Sequence, residues 1–268
     1  MNREAVARMT MDRDLRAAID RGELLLHYQP QIDLRTGAIR SAEALVRWQH
    51  PTQGLVSPMR FIPLAEESGF IDQIGRWTLH QACAQMAEWR RQGLAIESVA
   101  VNVSPRQFRR RALVDVIRVS VEDAGLPASC LEIEITEGML MDRGSQVEEM
   151  LSQLAGAGHR IALDDFGTGF SSMSYLKRLP VSTIKIDRAF IDGMQDAADS
   201  VAIVAAIIAM SHALGKSVIA DGVENELQER LLRKLGCDEA QGFLYAHALA
   251  ATEFAALVRA RPMAPLPA

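Results

Sequence analysis

The sequence predicts an α/β barrel of the (β/α)8 type, and three observations point there. Eight short apolar runs have strand-like patterning, helical segments separate most of them, and the 268 residues are close to the usual size of that architecture. An open doubly wound sheet is the competing arrangement. It would need a GxGxxG turn after an early strand, and none is present.

Residues 2–20 read as a charged helix with a loose stripe of Val6, Met9, Leu15, Ala18 and Ile19. It is either the end of an interdomain linker or a first helix laid on the barrel, and the barrel itself is expected over 21–260. Residues 23–29 form the first strand, with Pro30 as its stop. The turn at 33–37 leads into a second strand at 38–48, so the two pair as a hairpin. Helices follow around 61–67 and 75–92. The chain then alternates: strand 99–103 and helix 113–124, strand 131–136 and helix 146–157, strand 161–164 and a short helix 172–178. Strand 183–187 precedes the long helix 200–214, strand 218–221 precedes helix 226–235, and strand 240–244 precedes the last helix, 252–259. The tail, 261–268, is rich in Pro and Ala and is expected to be disordered.

Composition narrows the function classes. A net charge of −5 provides no global field for nucleic acid, and the basic runs 90–91 and 109–111 sit at helix ends or loops. Cys83, Cys130 and Cys237 lie too far apart in sequence for a disulfide framework or a zinc spacing, and the six histidines form no HxxxH pair. With no signal peptide and no run long enough to span a bilayer, the expected location is the cytoplasm, although a longer parent protein could be membrane-anchored.

The polar residues of the strands carry the chemistry. In such a barrel, sites form at the C-terminal strand ends. In LEIEIT (131–136) the apolar residues share one face, which turns Glu132 and Glu134 inward. The same alternation turns Asn102 inward in VAVNVS and Lys185 in TIKID. Glu43 and Arg47 share a face about 13 Å apart, Asp164 shares one with Ala162, and Asp221 ends the seventh strand. An unpaired buried carboxylate costs several kcal/mol, so the convergence of Glu43, Asn102, Glu134 and Asp164 calls for a cation. Oxygen donors select a hard ion, Mg²⁺ or Mn²⁺. Asp165 and Asp221 would extend the set to a second ion, an arrangement used for in-line displacement at phosphorus. Lys185 and Arg47 then face phosphate oxygens or the attacking water; the alternative is that they bridge the same acids. Asp164 and Asp165 are adjacent, and alternation points them to opposite faces. Both serve one site only if the strand is ending there, with Gly167 and Gly169 freeing the loop that follows. At about 4 Å two such acids repel by roughly 4 kcal/mol at an effective dielectric near 20.

Eight ordered motifs between residues 23 and 249 resemble the EAL domain family of cyclic di-GMP phosphodiesterases: YQP (28–30), EALVRW (43–48), FIPLAEESG (61–69), VNVSPRQF (101–108), EITE (134–137), DDFGTGFSSMSYLKRLP (164–180), IKID (184–187) and QGFLY (241–245). The resemblance implies a (β/α)8 barrel with an antiparallel first strand, which suits the hairpin. It also implies hydrolysis of one phosphodiester bond to linear 5′-pGpG, using two Mg²⁺ or Mn²⁺ ions; Ca²⁺, with its longer oxygen-ligand distances, is expected to inhibit. Glu43, Asn102, Glu134 and Asp164 would hold one ion and Asp164 with Asp165 a second, while Lys185 contacts the metal-bound water. Glu137 would anchor the loop 165–172, which in the family couples the site to dimer contacts. Gln29, Leu45 and Arg47 would contact the cyclic dinucleotide together with Glu43 and Asn102, and Gln241 would position the site. A homodimer, and an upstream sensory or GGDEF domain in a longer parent, belong to the same expectation.

Three departures bear on activity. The seventh strand reads ADGVE where the family has AEGVE, so Asp221 stands in for a glutamate assigned as metal ligand or general base. Aspartate retracts that charge by about 1.5 Å. Ser182 stands where an Asp is common, and the last motif reads YAHALA. Glu224 is present to compensate if it faces the site. The alternative function is therefore a degenerate EAL receptor that binds cyclic di-GMP with little or no cleavage.

Overall fold

The computed structural model describes residues 3–140, 145–167, 176–195 and 198–261. Nine strands form one sheet: β1 (Leu24–Asp33), β2 (Ile39–His50), β3 (Gly54–Val56), β4 (Ser98–Asn102), β5 (Leu131–Thr136), β6 (Arg160–Phe166), β7 (Thr183–Ile186), β8 (Ser217–Ala220) and β9 (Glu239–Ala240). The ladder runs β1-β9-β8-β7-β6-β5-β4-β2, and the β1–β2 pairing closes it into an eight-stranded barrel with β3 as a short extension of β2. From β2 through β4 to β9 every pairing is parallel, whereas β1 is antiparallel to both its neighbours. The hairpin expected from 33–37 is thus the device that inverts the first strand.

Eleven helices are described: α1 (Arg3–Ala18), α2 (Pro58–Ser68), α3 (Ile71–Arg91), α4 (Pro105–Phe108), α5 (Ala112–Asp123), α6 (Glu137–Leu140), α7 (Ser145–Gly156), α8 (Arg188–Asp192), α9 (Ala198–Ala213), α10 (Glu226–Leu235) and α11 (Ala251–Ala260). None of them is long and apolar enough to cross a membrane. Local signals set their ends. Asn225 caps α10 by accepting from Leu227 and Gln228 N–H, and Gly236 closes it in the left-handed conformation. The main core lies between barrel and helices, built from the outward faces of the strands, including Val99, Val101, Leu131, Ile133, Ile161 and Ile184. A second cluster joins α1 to the barrel flank, where Met11, Leu15 and Ala18 pack with Trp48, Phe61 and Ile74. The helix expected over residues 2–20 is observed as Arg3–Ala18, and its C-terminal half packs on the barrel flank.

Two boundaries need correction. Pro30 does not stop β1, which pairs on to Ile32. Tyr28 directs its N–H to Leu249, on the side away from β2, and two residues later Pro30 points its nitrogen the same way, where β9 offers a partner only from Ile32 onward. The missing donor therefore breaks no ladder bond. The strand expected at 240–244 is only Glu239–Ala240. A Cβ on Gly242 would stand 2.1 Å from the carbonyl oxygen of Val223. Gln241 N–H still donates to Ala220 of β8, but the Gln241 carbonyl accepts from Val223 N–H and Leu244 N–H donates to the Val223 carbonyl, so the ladder ends there. The helix expected at 172–178 begins, and the tail from 262 lies, outside the described residues.

The barrel floor is polar. Two residues below Gln29, Glu43, Glu134 and Gln241 sit Gln31, Ser41, Glu132 and Glu239, and four below Asn102 sits Ser98, all buried. Burial, then the charge of Glu132, raises the Glu239 carboxyl to about 7, against the opposing pull of Arg160 and Arg40. A carboxyl raised above its unfolded value stabilises the fold fully below that value and loses the contribution as pH rises through the folded one. The window is therefore from about 4.5 to about 7, and the loss is about 3 kcal/mol. Glu239→Gln, which never ionises, is expected to match wild type near pH 5 and to exceed its stability by that amount at pH 8. Denaturant unfolding at the two pH values measures it, and a difference that does not grow with pH would contradict it.

Candidate active site

At the C-terminal end of the parallel strands, Lys185 of β7 stands at the centre of a ring of acids. Its Nζ lies 2.9 Å from Glu134 Oε2, 3.3 Å from Glu43 Oε2 and 3.4 Å from Asp164 Oδ1, and it is 1% exposed. Glu43 is held from three sides, because Asn102 Nδ2 donates to its Oε1 at 2.6 Å and Gln241 Nε2 to its Oε2 at 2.6 Å. Gln241 also donates to Gln29 Oε1, and Gln29 in turn donates to the Ala246 carbonyl. The alternation read from β2, β4, β5, β6 and β7 thus places Glu43, Asn102, Glu134, Asp164 and Lys185 together.

The electrostatics follow from too many acids around one ammonium. Burial would raise the Glu43 carboxyl, but Lys185 and the donors Gln241 and Asn102 outweigh it and hold it below its ordinary value. Glu134 goes the other way: burial and the charge of Glu43 push it well up, with Lys185 opposing only in part. Burial would lower Lys185, yet Asp164, Glu134 and Glu43 hold its proton well above the usual lysine range. Asp221 enters the same field. Its N–H donates to the Ile186 carbonyl, its Oδ1 accepts from Gly222 N–H at 2.7 Å, and burial with Glu43 and Asp164 lifts it to about 6 against Lys185.

Asp164 and Asp165 reach one site because β6 is irregular there. Leu163 pairs with Ile184 and Phe166 with Ile186, so three steps on β6 face two on β7. Asp165 takes up the extra residue with φ at 55°, the one left-handed non-glycine among the described residues. The strand therefore bulges rather than ends. Burial, Asp164 and a hydrogen-bonded contact with Asp187 raise Asp165 to about 6. Asp187 was absent from the sequence-derived site. It caps α8 by accepting from Ala189 N–H at 2.8 Å, and its position directly after strand TIKI was the available signal.

The remaining candidates separate. Glu137, 2% exposed at the start of α6, accepts from Gly167 N–H at 3.0 Å and so holds the described start of the loop after Asp165; residues 168–172 lie outside the described residues. Arg47 pairs with no carboxylate among the described residues. It donates to the Val46 carbonyl, so the bridging alternative holds for Lys185 and not for Arg47. Leu45 and Asn102 line an apolar cavity of about 300 Å³ with Ile62, Ile74 and Thr78. Glu224 does not compensate for Asp221, because its Oε1 pairs with Arg188 at 2.6 Å on the surface. Ser182 bridges the Ile161 backbone at the N-terminal end of β6, away from the acids.

Among the described residues no three His, Cys, Asp or Glu side chains already close on a single point as a ligand cluster, since Lys185 occupies the middle. The donors nevertheless fit a hard divalent cation. All are oxygens once Asn102 turns its amide, and Glu134 Oε1 is buried without a hydrogen-bond partner. One lysine also leaves several acids uncompensated.

An α/β barrel with an inverted first strand and an acid ring around a lysine at its open end defines the class. The match to the EAL domain family model covers residues 12–248, and the chain belongs to that family. It is 43% identical over 258 residues to the bifunctional diguanylate cyclase/cyclic di-GMP phosphodiesterase MucR of Pseudomonas aeruginosa, covering 96% of this chain and 38% of that protein. The cyclic di-GMP phosphodiesterase PdeR of Escherichia coli is 38% identical, over 95% of this chain and 38% of that protein. The chain thus spans little more than a third of the length of these curated relatives. Among solved structures, the PaMucR phosphodiesterase in its c-di-GMP complex superposes with a TM-score of 0.89 at 44% identity, covering 91% of this chain and 99% of that one.

Proposed function

We propose that this chain is a divalent-cation-dependent phosphodiesterase that hydrolyses cyclic di-GMP to linear 5′-pGpG. The carrying observation is the buried ring of Glu43, Glu134, Asp164 and Asp221 around Lys185, which holds more negative charge than one ammonium can offset. EAL phosphodiesterases are generally dependent on divalent metals. Glu43, Asn102, Glu134 and Asp164 would hold a Mg²⁺ or Mn²⁺ ion, with Asp165 and Asp221 available to a second. Such a cation would offset charge developing on the phosphoryl oxygens.

The chain's own groups supply the rest. Lys185 donates toward an oxygen entering the ring. Asp221, directly after β8 and held through Oδ1 by Gly222 N–H, would take a proton from the attacking water. Arg47, which pairs with no carboxylate among the described residues, can meet a phosphate, with Gln29 opposite Glu43 on the neighbouring strand and Leu45 presenting an apolar wall to a base. Gln241 fixes Glu43, and Glu137 fixes the backbone after Asp165. The complete set of oxygen donors supports an enzyme over a receptor. The dimer expected for the family, and a sensory or GGDEF domain in a longer parent, rest on family likeness. Light scattering of the purified chain tests the dimer.

Purified protein should convert cyclic di-GMP to pGpG with Mg²⁺ and lose that activity in EDTA; binding without turnover in Mg²⁺ or Mn²⁺ would establish the receptor instead. Ca²⁺ is expected to inhibit. It takes the same oxygen ligands at about 2.3–2.6 Å instead of 2.0–2.1 Å and relaxes the geometry an in-line displacement needs. Equal turnover in Ca²⁺ would contradict this. Asp221→Glu restores the reach of the longer acid and is expected to raise kcat, by up to about 100-fold if a 1 Å misplacement is what limits it. KM should stay unchanged, since Arg47 and the first-ion residues Glu43, Asn102, Glu134 and Asp164 are untouched. Steady-state curves at saturating Mg²⁺ decide, and a slower variant would show a site tuned to aspartate.

A further inference from the structure

The turn after Asp221 is gripped from outside by a residue that belongs to none of the ligand sets above. Gly222 takes φ at 81°, and a Cβ there would meet Arg188 Cγ at 2.4 Å and Arg188 Cβ at 2.7 Å, so the Arg188 stem lies flush against this backbone. Beyond the stem, the guanidinium donates to Glu224 Oε1 at 2.6 Å and to Asp192 Oδ2 at 3.0 Å on its own helix. Arg188 thus holds the turn at both ends, at Gly222 and at Glu224. Val223, between them, is buried and exchanges backbone hydrogen bonds with Gln241 and Leu244. The residue before Arg188 is Asp187, which faces Asp165.

We propose that Arg188 is a positioning residue: by clamping the 222–224 turn it fixes the Asp221 carboxylate. Through Asp187 the same short helix, α8, sets the spacing between Asp221 and Asp165. The proposal rests on the reading of the site as a cation-dependent phosphodiesterase. An exposed ion pair alone would be worth little. The effect arises because the carboxylate sits one residue from the clamped glycine and accepts through Oδ1 from the Gly222 N–H itself. Displacing the turn therefore moves the carboxylate with it.

The test uses the full chain with Arg188→Ala, which removes stem and guanidinium, Arg188→Met, which keeps the stem, and Glu224→Gln, which weakens the far grip. Two quantities are read: kcat and KM for cyclic di-GMP, and Mg²⁺ affinity from thermal-shift titration without substrate. Arg188→Ala should lower kcat about 10- to 100-fold with KM within twofold, and weaken Mg²⁺ affinity several-fold. Arg188→Met should recover part of both losses, and Glu224→Gln should show a smaller loss of the same kind. Wild-type kcat and Mg²⁺ affinity in Arg188→Ala would overturn the proposal. If Arg188→Ala does not fold, wild-type values in Glu224→Gln overturn it. A wild-type chain that binds Mg²⁺ without hydrolysis defeats the phosphodiesterase reading alone, because the affinity comparison still decides the clamp.

Discussion

Glu43→Ala is expected to abolish hydrolysis of cyclic di-GMP, with kcat/KM falling by about 1000-fold or more, while the barrel stays folded. Removing one preorganised electrostatic contact costs about 100- to 1000-fold in comparable sites. Glu43 is more than one contact, since it joins Lys185, Asn102 and Gln241 in a single network that holds its carboxyl below its ordinary value. Its loss should also relieve Glu134, whose carboxyl is pushed up in part by the Glu43 charge. Stability should therefore change little, because a repulsion disappears with the attraction. Turnover within tenfold of wild type, beside a normal thermal midpoint, would remove Glu43 from the site.

Lys185→Met should have the largest effect on stability. It leaves Glu43, Glu134 and Asp164 without their shared counter-ion in a buried setting, and breaking a buried pair in that way costs about 3–5 kcal/mol. For a chain of this size that is roughly a 10 °C fall in Tm. The sign with pH follows from the same acids. Without the ammonium the folded state holds more protons on them than the unfolded state does, so the variant loses stability as pH rises. Added Mg²⁺ should restore part of the loss by taking over the compensation, as any ligand specific to the folded state would. Thermal unfolding from pH 5 to 8, in EDTA and in Mg²⁺, gives the answer. A variant as stable as wild type in EDTA at pH 8 would show that Lys185 is not the counter-ion of the ring.

Most of this site was legible from strand alternation. Asn102, Glu134, Asp164 and Lys185 were assigned inward because the alternate residues of their strands are greasy and take the other face, and Glu43 shares its face with Arg47; period two leaves only one way to bury such a strand. What alternation could not express was any break in the period. The bulge at Asp165 is one extra residue, and it is what lets two adjacent acids share a face. The continuation of β1 through Pro30 and the shortness of β9 depended on which neighbour lies on which side, and that is a property of the closed barrel rather than of the segment. Asp187 and Glu224 were missed or left open for a related reason. Both follow a strand, where side-chain direction is set by the turn and by Arg188 rather than by the pleat.

The inverted first strand also determines where this barrel is thinnest. Between β1 and β9 the ladder consists of Ile32 with Ala240 and Asp33 with Glu239, with Tyr28 and Leu249 bridging further along. These contacts join the two ends of the chain, so they have the highest loop-closure cost and can be made only after both ends have ordered. The hydrogen bonds from Gln241 to Gln29 and Glu43 span that join. Local opening at the seam, among the cheapest excursions available to the fold, would release Glu43 from Gln241 while the parallel strands β4 to β8 keep their order. Catalytic competence would then be lost before the barrel unfolds, and amide exchange at Tyr28 and Leu249 would be faster than at Val101 or Ile133.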